Sequence, residues 1–263
     1  NIYKSRKKYQ DYTKKSAGGV LKFGYPLFEN VRGFVRYKNE LVEITGLDHT
    51  VAEVIAKQEG FTRTSSAGLT IQRDVRNSRL DPTAGSLVYG DMEYAGGPFG
   101  GDNYYTKYRL NASKYINPWY DHTIIAHSRV SYAFGNNGHE LPVYERYYLG
   151  GINSLRGFKY RSVGPKDKKT GDVIGGNKEL LFNFEYLFYF KKEAHLKIVT
   201  FYDAGNAFDD GESINISELR HSAGYGIRWI SPIGPLRLEW GHNIAPEPGE
   251  AKSDWEFTIG TFF

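Results

Sequence analysis

The sequence predicts an all-β chain whose strands cross a membrane as an antiparallel barrel, and three observations carry that prediction. Runs of about ten residues alternate apolar and polar side chains, the length at which a tilted strand crosses a bilayer. Aromatic residues make up 16% of the 263 residues, with 21 Tyr, 16 Phe and 30 Gly, a mixture that suits strands and their turns. The connections between the runs alternate short and long, as an outer-membrane barrel demands. A soluble sheet with one wet face gives the same side-chain alternation. Run length beyond the five or six residues usual in globular strands, and polar faces that mix charges with glycine, favour the membrane.

Composition removes other classes. No apolar run reaches the roughly 18 residues of a spanning helix. The absence of Cys excludes a disulfide scaffold, a thiolate metal site and a Cys nucleophile. A net charge of +4, spread along the chain, gives no basis for nucleic-acid binding. The chain opens on Asn1, which suggests a processed product or a fragment.

Taken in order, a short strand is expected over Ile2–Tyr9, then strands at about 16–27, 31–44, 61–74, 85–95, 103–116, 122–135, 177–190, 196–208, 219–230, 235–243 and 254–263. The pattern is plainest near the C-terminus. Trp255, Phe257, Ile259 and Phe263 share one face, as do Leu236, Leu238 and Trp240, and Tyr225, Ile227 and Trp229. Phe182, Phe184, Tyr186 and Phe188 form another apolar row, with Asn183 and Glu185 on its reverse. Short connections at 28–30, 117–121, 191–194 and 231–234 belong to the periplasmic side, and long ones at 45–60, 136–176 and 209–218 to the outside. In the first long loop Thr50 to Glu53 has capping-box spacing, Val51, Val54 and Ile55 share a face, and Gly60 can stop a short helix over the barrel mouth. The stretch 96–101 reads as an external hairpin turn.

A glycine-rich loop of some forty residues inside a compact domain is uncommon and usually functional. Its core, Tyr144–Phe158 (YERYYLGGINSLRGF), contains Leu155, Arg156, Gly157 and Phe158. That Leu-Arg-Gly-Phe resembles the loop-six motif of the BamA family, outer-membrane barrels that insert other barrels. Arg79–Gly85 (RLDPTAG) resembles that family's periplasmic turn before a strand. Phe201–Gly205 (FYDAG) and the stretch 224–236 resemble its last strands, and the closing Trp255–Phe263 resembles its terminal aromatic strand. The resemblance covers nearly the whole chain.

The resemblance implies a loop, 136–176, folded back into the lumen, with Arg156 seeking acidic wall positions at Glu185 and Asp203. The side-chain alternation supports Glu185 independently. Asp203 is less clear-cut, because its parity also turns Val199 and Phe201 inward. A guanidinium forked onto a carboxylate in a polar lumen is a strong way to fix a loop. Trp255, Phe257, Ile259, Gly260 and Phe263 would form the last strand and one edge of a weak lateral seam, with Gly260 keeping it pliable. The family barrel has sixteen strands, so the twelve here match the fifth to the sixteenth, with the first four and the periplasmic POTRA domains absent.

The function that the resemblance implies is assembly of nascent outer-membrane proteins in the bacterial outer membrane. The partners implied are outer-membrane lipid and lipopolysaccharide, nascent barrel proteins, and accessory lipoproteins bound through the missing periplasmic domains. No cofactor and no catalysis are implied. The alternative is a two-partner-secretion or related translocation pore. A displayed patatin-like enzyme would need a Gly-x-Ser-x-Gly domain that this chain lacks, and a passive porin would not need the loop motif.

Other chemistry finds little support. Seven histidines are scattered, and His122 and His127, five apart on one strand, face opposite ways, so no metal spacing emerges. Asp81, Glu145 and Glu239 read as ordinary lumen charges. The run Lys4 to Lys8, with Lys14 and Lys15, is basic enough to meet lipopolysaccharide phosphates or anionic lipid, although a solvated loop is the plainer interpretation.

Overall fold

A computed structural model describes residues 1–9, 11–48, 50–232 and 234–260. In it the period-two runs pair in chain order into one antiparallel sheet of twelve strands. They are β1 (Ile2–Lys8), β2 (Thr13–Phe28), β3 (Val31–Thr45), β4 (Gly60–Asp74), β5 (Gly85–Ala95), β6 (Tyr105–Ile116), β7 (His122–Gly135), β8 (Lys178–Lys191), β9 (Leu196–Phe208), β10 (Arg220–Ser231), β11 (Gly234–Asn243) and β12 (Ser253–Ile259). Among the described residues β1 and β12 lie at the two edges and do not pair with each other, so the sheet they form is not closed. Among the described residues no helix is long and apolar enough to cross a membrane.

Register sorts the side chains as the alternation predicts. Phe23, Tyr25, Phe184, Tyr225, Trp255, Phe257 and Ile259 are exposed on the outer face. That exposure is what a lipid-facing belt needs, since the bilayer supplies the apolar solvent. The inner face carries Arg36, Lys38, Glu93, Lys107, Glu185, Asp203, Arg228 and Glu239, joined in ion pairs. Near the short-turn end the inner wall turns apolar, where Tyr115, Ile125, Leu187 and Val199 pack together. Val199, one of the two inward apolar residues of β9 that blurred the parity of Asp203, therefore belongs to a lumen core.

The helix α1 (Glu53–Ala56) is shorter than expected and is capped differently. Ala52 is its N-cap, and its backbone N–H donates to Asp172 Oδ2 at 2.8 Å, so the cap comes from the long loop and not from Thr50. The helix ends at Lys57, and Gly60 opens β4 and is not its stop. α1 does sit over the mouth: Ala52 and Ile55 pack with Val42, Ile44 and Val143. The turn at 96–101 is the expected hairpin, containing one 3₁₀ turn over Gly97–Phe99.

One connection departs from the short-turn rule. Residues 75–84 join β4 to β5 on the short-turn side, yet they reach across the sheet. Asp81 Oδ2 accepts from Tyr189 Oη at 2.8 Å, and Asp81 also pairs with the buried Lys197 on β9. Asn77 holds the turn in shape, its Oδ1 accepting from the N–H groups of Thr83 and Ala84 and its Nδ2 donating to Thr83 Oγ1. Asp81 thus straps a turn over that end of the lumen instead of serving as an isolated lumen charge.

At the other edge, β12 ends at Ile259. Gly260 follows at φ +144°, a conformation that disfavours a side chain, with its N–H donating to Pro235 O at 2.9 Å. Gly260 therefore bends the chain at the end of the strand, where pliability within the strand was expected. Phe263 lies outside the described residues.

Candidate functional site

The loop between β7 and β8 is built as a small folded unit. Isolated antiparallel bridges join Tyr147 to Gly176, Leu149 to Val163 and Lys166 to Val173. Leu149, Leu155, Phe158 and Val163 pack with Ala95, Tyr105, Ala133, Leu181 and Ala207 of the inner wall. These apolar side chains take the loop out of solvent and hold it inside the curl of the sheet. At the tip, Gly151 N–H donates to the carbonyls of Leu155 and Phe158, and Ser154 Oγ accepts from Gly150 N–H.

That tip projects Arg156 into the wall, where it is 1% exposed. Its Nε and Nη2 fork onto Asp203 at 2.8 and 2.6 Å, and its backbone N–H donates to the same carboxylate at 3.1 Å. Nη1 donates to Glu185 at 2.7 Å and to Glu239 at 2.9 Å. The guanidinium also lies 3.6 Å from the centre of the Phe201 ring, which explains an aromatic on the inner face of β9. Both partners expected for Arg156 are therefore brought to it. Glu239, taken from sequence as an ordinary lumen charge, is a third.

The cluster continues beyond the loop. Arg228 on β10 forks onto Glu185 at 2.6 and 2.8 Å and donates to Glu239 at 2.8 Å. Arg237 on β11 donates to Glu239 at 2.9 and 3.0 Å, and its Nη2 also reaches the carbonyl of Ile152 in the loop. Asn183 donates to Asp203 at 2.7 Å and to the Ser154 carbonyl at 2.8 Å. Three buried arginines thus face three buried carboxylates, and the charge balances. Such a network is worth little against an apolar core of equal volume, but deleting one partner leaves a buried charge and costs about 3–5 kcal/mol.

A second anchor of opposite sign was not legible in the sequence. Glu145, near the start of the loop, accepts from Lys107 Nζ on β6 at 2.7 Å, lies near Lys38 on β3, and is 11% exposed. Lys38 in turn pairs with Glu93 on β5. Burial alone would raise the Glu145 carboxyl, yet Lys107, Lys38 and Lys14 hold it well below the usual carboxylate range. The loop is therefore pinned to an acidic wall at β8, β9 and β11 through Arg156, and to a basic wall at β3 and β6 through Glu145.

Backbone closeness completes the seat. Gly157, at φ +83°, lies so near Gly241 of β11 that a Cβ on either would sit 2.4–2.6 Å from backbone atoms of the other segment. Leu155 and Phe158 are buried in the loop core, and Arg220 lies 5.3 Å from the Phe158 ring centre. Trp255, Phe257 and Ile259 share no contact with this cluster; they lie on the outer face of β12.

A family profile described as the Omp85 superfamily domain matches residues 1–263. The chain belongs to the Omp85 superfamily. Among its Omp85 relatives, outer membrane protein assembly factor BamA of Nitratidesulfovibrio vulgaris is 33% identical over 266 residues, covering 100% of this chain and 34% of that protein. The protein of the same name in Neorickettsia risticii is 25% identical over 98% of this chain and 36% of its own length. The chain spans about a third of the length of these curated relatives. In fold it resembles BamA from Haemophilus ducreyi lacking POTRA domains 1–3, with a TM-score of 0.81 at 24% identity over 95% of this chain and 55% of that one. CdiB from Acinetobacter baumannii shares the fold less closely, with a TM-score of 0.57 at 16% identity over 93% of this chain and 41% of that one. The expected BamA-type barrel is borne out, and this Omp85 barrel resides in an outer membrane.

Proposed function

We propose that this chain is the membrane-embedded part of an outer-membrane protein assembly factor, and that its work is mechanical, not catalytic. The observation that carries the proposal is the clamped loop: Arg156 ties it to β8, β9 and β11 and makes no ion pair with β12 among the described residues. A rigid wall then stands next to a terminal strand that has one neighbour, β11, among the described strands. In hydrocarbon an unpaired strand edge is costly. An incoming β-hairpin that supplies the missing hydrogen bonds lowers that cost by β-augmentation. The N. vulgaris and N. risticii relatives, named assembly factors, support the same assignment. Nascent barrel proteins are the substrates on this account, with accessory lipoproteins docking on periplasmic domains.

The test is site-specific crosslinking in the full-length protein. A Cys at Thr258, whose residue pairs with Arg237 across β11–β12, should form adducts with a nascent barrel protein during assembly. An assembly-competent reaction with no adducts at this position contradicts the proposal. The fold likeness to CdiB does not favour a secretion pore over this assignment.

A further inference from the structure

The β1 strand presents two unlike faces. Tyr3 and Ser5 point into the lumen, where Ser5 Oγ meets the buried Ser16 Oγ at 2.9 Å. Register and exposure place Ile2, Lys4, Arg6 and Lys8 on the outer face. Arg6 pairs with Lys15 on β2, and Lys15 pairs with Glu43 on β3; in the next row Lys4, Ala17, Leu41 and Arg63 follow one another across β1 to β4. Five cations therefore gather on one outward surface: Lys4, Arg6, Lys8, Lys15 and Arg63.

On the outer faces of β1 to β4, Glu43 is the one carboxylate among the described residues, and it does not neutralise them. Glu43 accepts from Lys15 at 3.0 Å, and Asp102 accepts from the Arg63 backbone N–H at 2.7 Å. The side chains of Lys4, Arg6 and Lys8 make no hydrogen bond or ion pair among the described residues. Lys178, an outward cation at the outer end of β8, is instead occupied by the carbonyls of Asp209, Asp210 and Glu212.

Position gives the patch its meaning. It lies at the loop end of β2, β3 and β4, within a few residues of Thr13, Thr45 and Gly60. Further along the same outer faces come Leu21, Phe23 and Tyr25 on β2, Val35 and Tyr37 on β3, and Leu69 and Ile71 on β4, all exposed. Cations on a lipid-facing surface are unfavourable among acyl chains and tolerated at the interface. Alternate residues on a strand stand roughly 6.6 Å apart and neighbouring strands about 4.8 Å, so Lys4, Arg6, Lys8 and Lys15 can share phosphate oxygens between them. The charge, the empty donors and the height above the apolar belt fit one occupant.

We propose that this patch binds the phosphate groups of the outer leaflet's phosphorylated glycolipid, the lipid A part of lipopolysaccharide. The proposal rests on the outer-membrane placement of the chain and not on its assembly activity, so the two fail separately. The site orients the β1–β4 side of the barrel against the ordered glycolipid leaflet.

The experiment uses full-length protein in uncharged detergent, titrated with bisphosphorylated lipid A, with dephosphorylated lipid A and with phosphatidylglycerol. Folding of each variant is checked by heat-modifiable gel mobility. Bisphosphorylated lipid A should bind at least about tenfold tighter than either other lipid, and its binding should weaken with added salt. The triple variant K4E/R6E/K8E should lose at least about tenfold, in line with roughly fivefold per cation at an anionic surface. K192E, at the opposite end of the barrel, should bind as the parent does. If the charge reversal fails to fold, K4Q/R6Q/K8Q decides the matter by the same loss. Unchanged affinity in a folded triple variant, or equal binding of dephosphorylated lipid A or phosphatidylglycerol, overturns the proposal.

Discussion

Gly157 and Gly241 meet backbone to backbone: the tip of the long loop rests directly on β11, with no room for a side chain on either. The contact fixes the depth at which Arg156 enters the wall. A methyl group at position 241 would lie 2.4 Å from the Gly157 nitrogen and 2.6 Å from the Arg156 carbonyl carbon. G241A should therefore lift the loop and destabilise the folded barrel by about 1–3 kcal/mol, the usual cost of overpacking. The check is the urea midpoint of the folded band together with protease cleavage within 136–176. A variant as stable and protected as the parent would show that the loop sits less deeply.

Charge number matters as much as shape in the clamp. R156A leaves Asp203, Glu185 and Glu239 facing Arg228 and Arg237, an excess of one buried negative charge. It should cost about 3–5 kcal/mol and expose the loop to protease. R156K keeps the charge but loses the fork onto Asp203, so it should fall between parent and alanine. The ordering of the three proteins in a protection assay is the measurement.

Acid should release the other anchor. The folded Glu145 carboxyl titrates below its unfolded value, so its stabilising contribution is present above the ordinary Glu range near about pH 4.3 and is lost as pH falls below it. The parent loop should therefore become more protease-sensitive below about pH 4. E145Q removes this titrating group, and its sensitivity should already be raised at neutral pH and change less on acidification. Proteolysis by an acid-active protease across that range reads the difference. Parallel profiles would show that the Glu145–Lys107 pair does not hold the loop.

The strap at residues 75–84 predicts a change at the opposite end. D81N leaves Lys197, 5% exposed, without its carboxylate partner and weakens the bond from Tyr189. A local loss of about 3 kcal/mol is expected, enough to free the turn without unfolding the sheet. Ion conductance through single barrels in a planar bilayer should rise. Equal conductance in D81N and parent would mean the turn does not restrict the lumen.

Much of this was legible in the sequence because a strand's period is two and a bilayer demands apolar side chains on one parity. Phe184 and Glu185, or Leu238 and Glu239, declare their faces without any structure. Arg156 was legible through its motif, as were Glu185 and Asp203. Glu239 and Glu145 were not, since any lumen lines itself with charge and nothing local marks which charge meets the loop. Register across β8 to β11 selects Glu239, and the loop's own fold selects Glu145. The cap of α1 failed for a related reason: the spacing at Thr50 offered a local acceptor, but Asp172 from far along the chain supplied the bond. The strap escaped notice because Asp81 lies in a turn whose partners, Tyr189 and Lys197, are more than a hundred residues away.

The central claim is that Arg156 and Asp203 act as one unit in seating the loop. A double-mutant cycle tests it most directly, with R156A, D203A and the double variant compared in urea unfolding of the full-length protein. The double variant should lose less than the sum of the two singles, by at least about 1–2 kcal/mol, because removing both charges leaves neither buried alone. Additivity within about 0.5 kcal/mol would contradict the clamp.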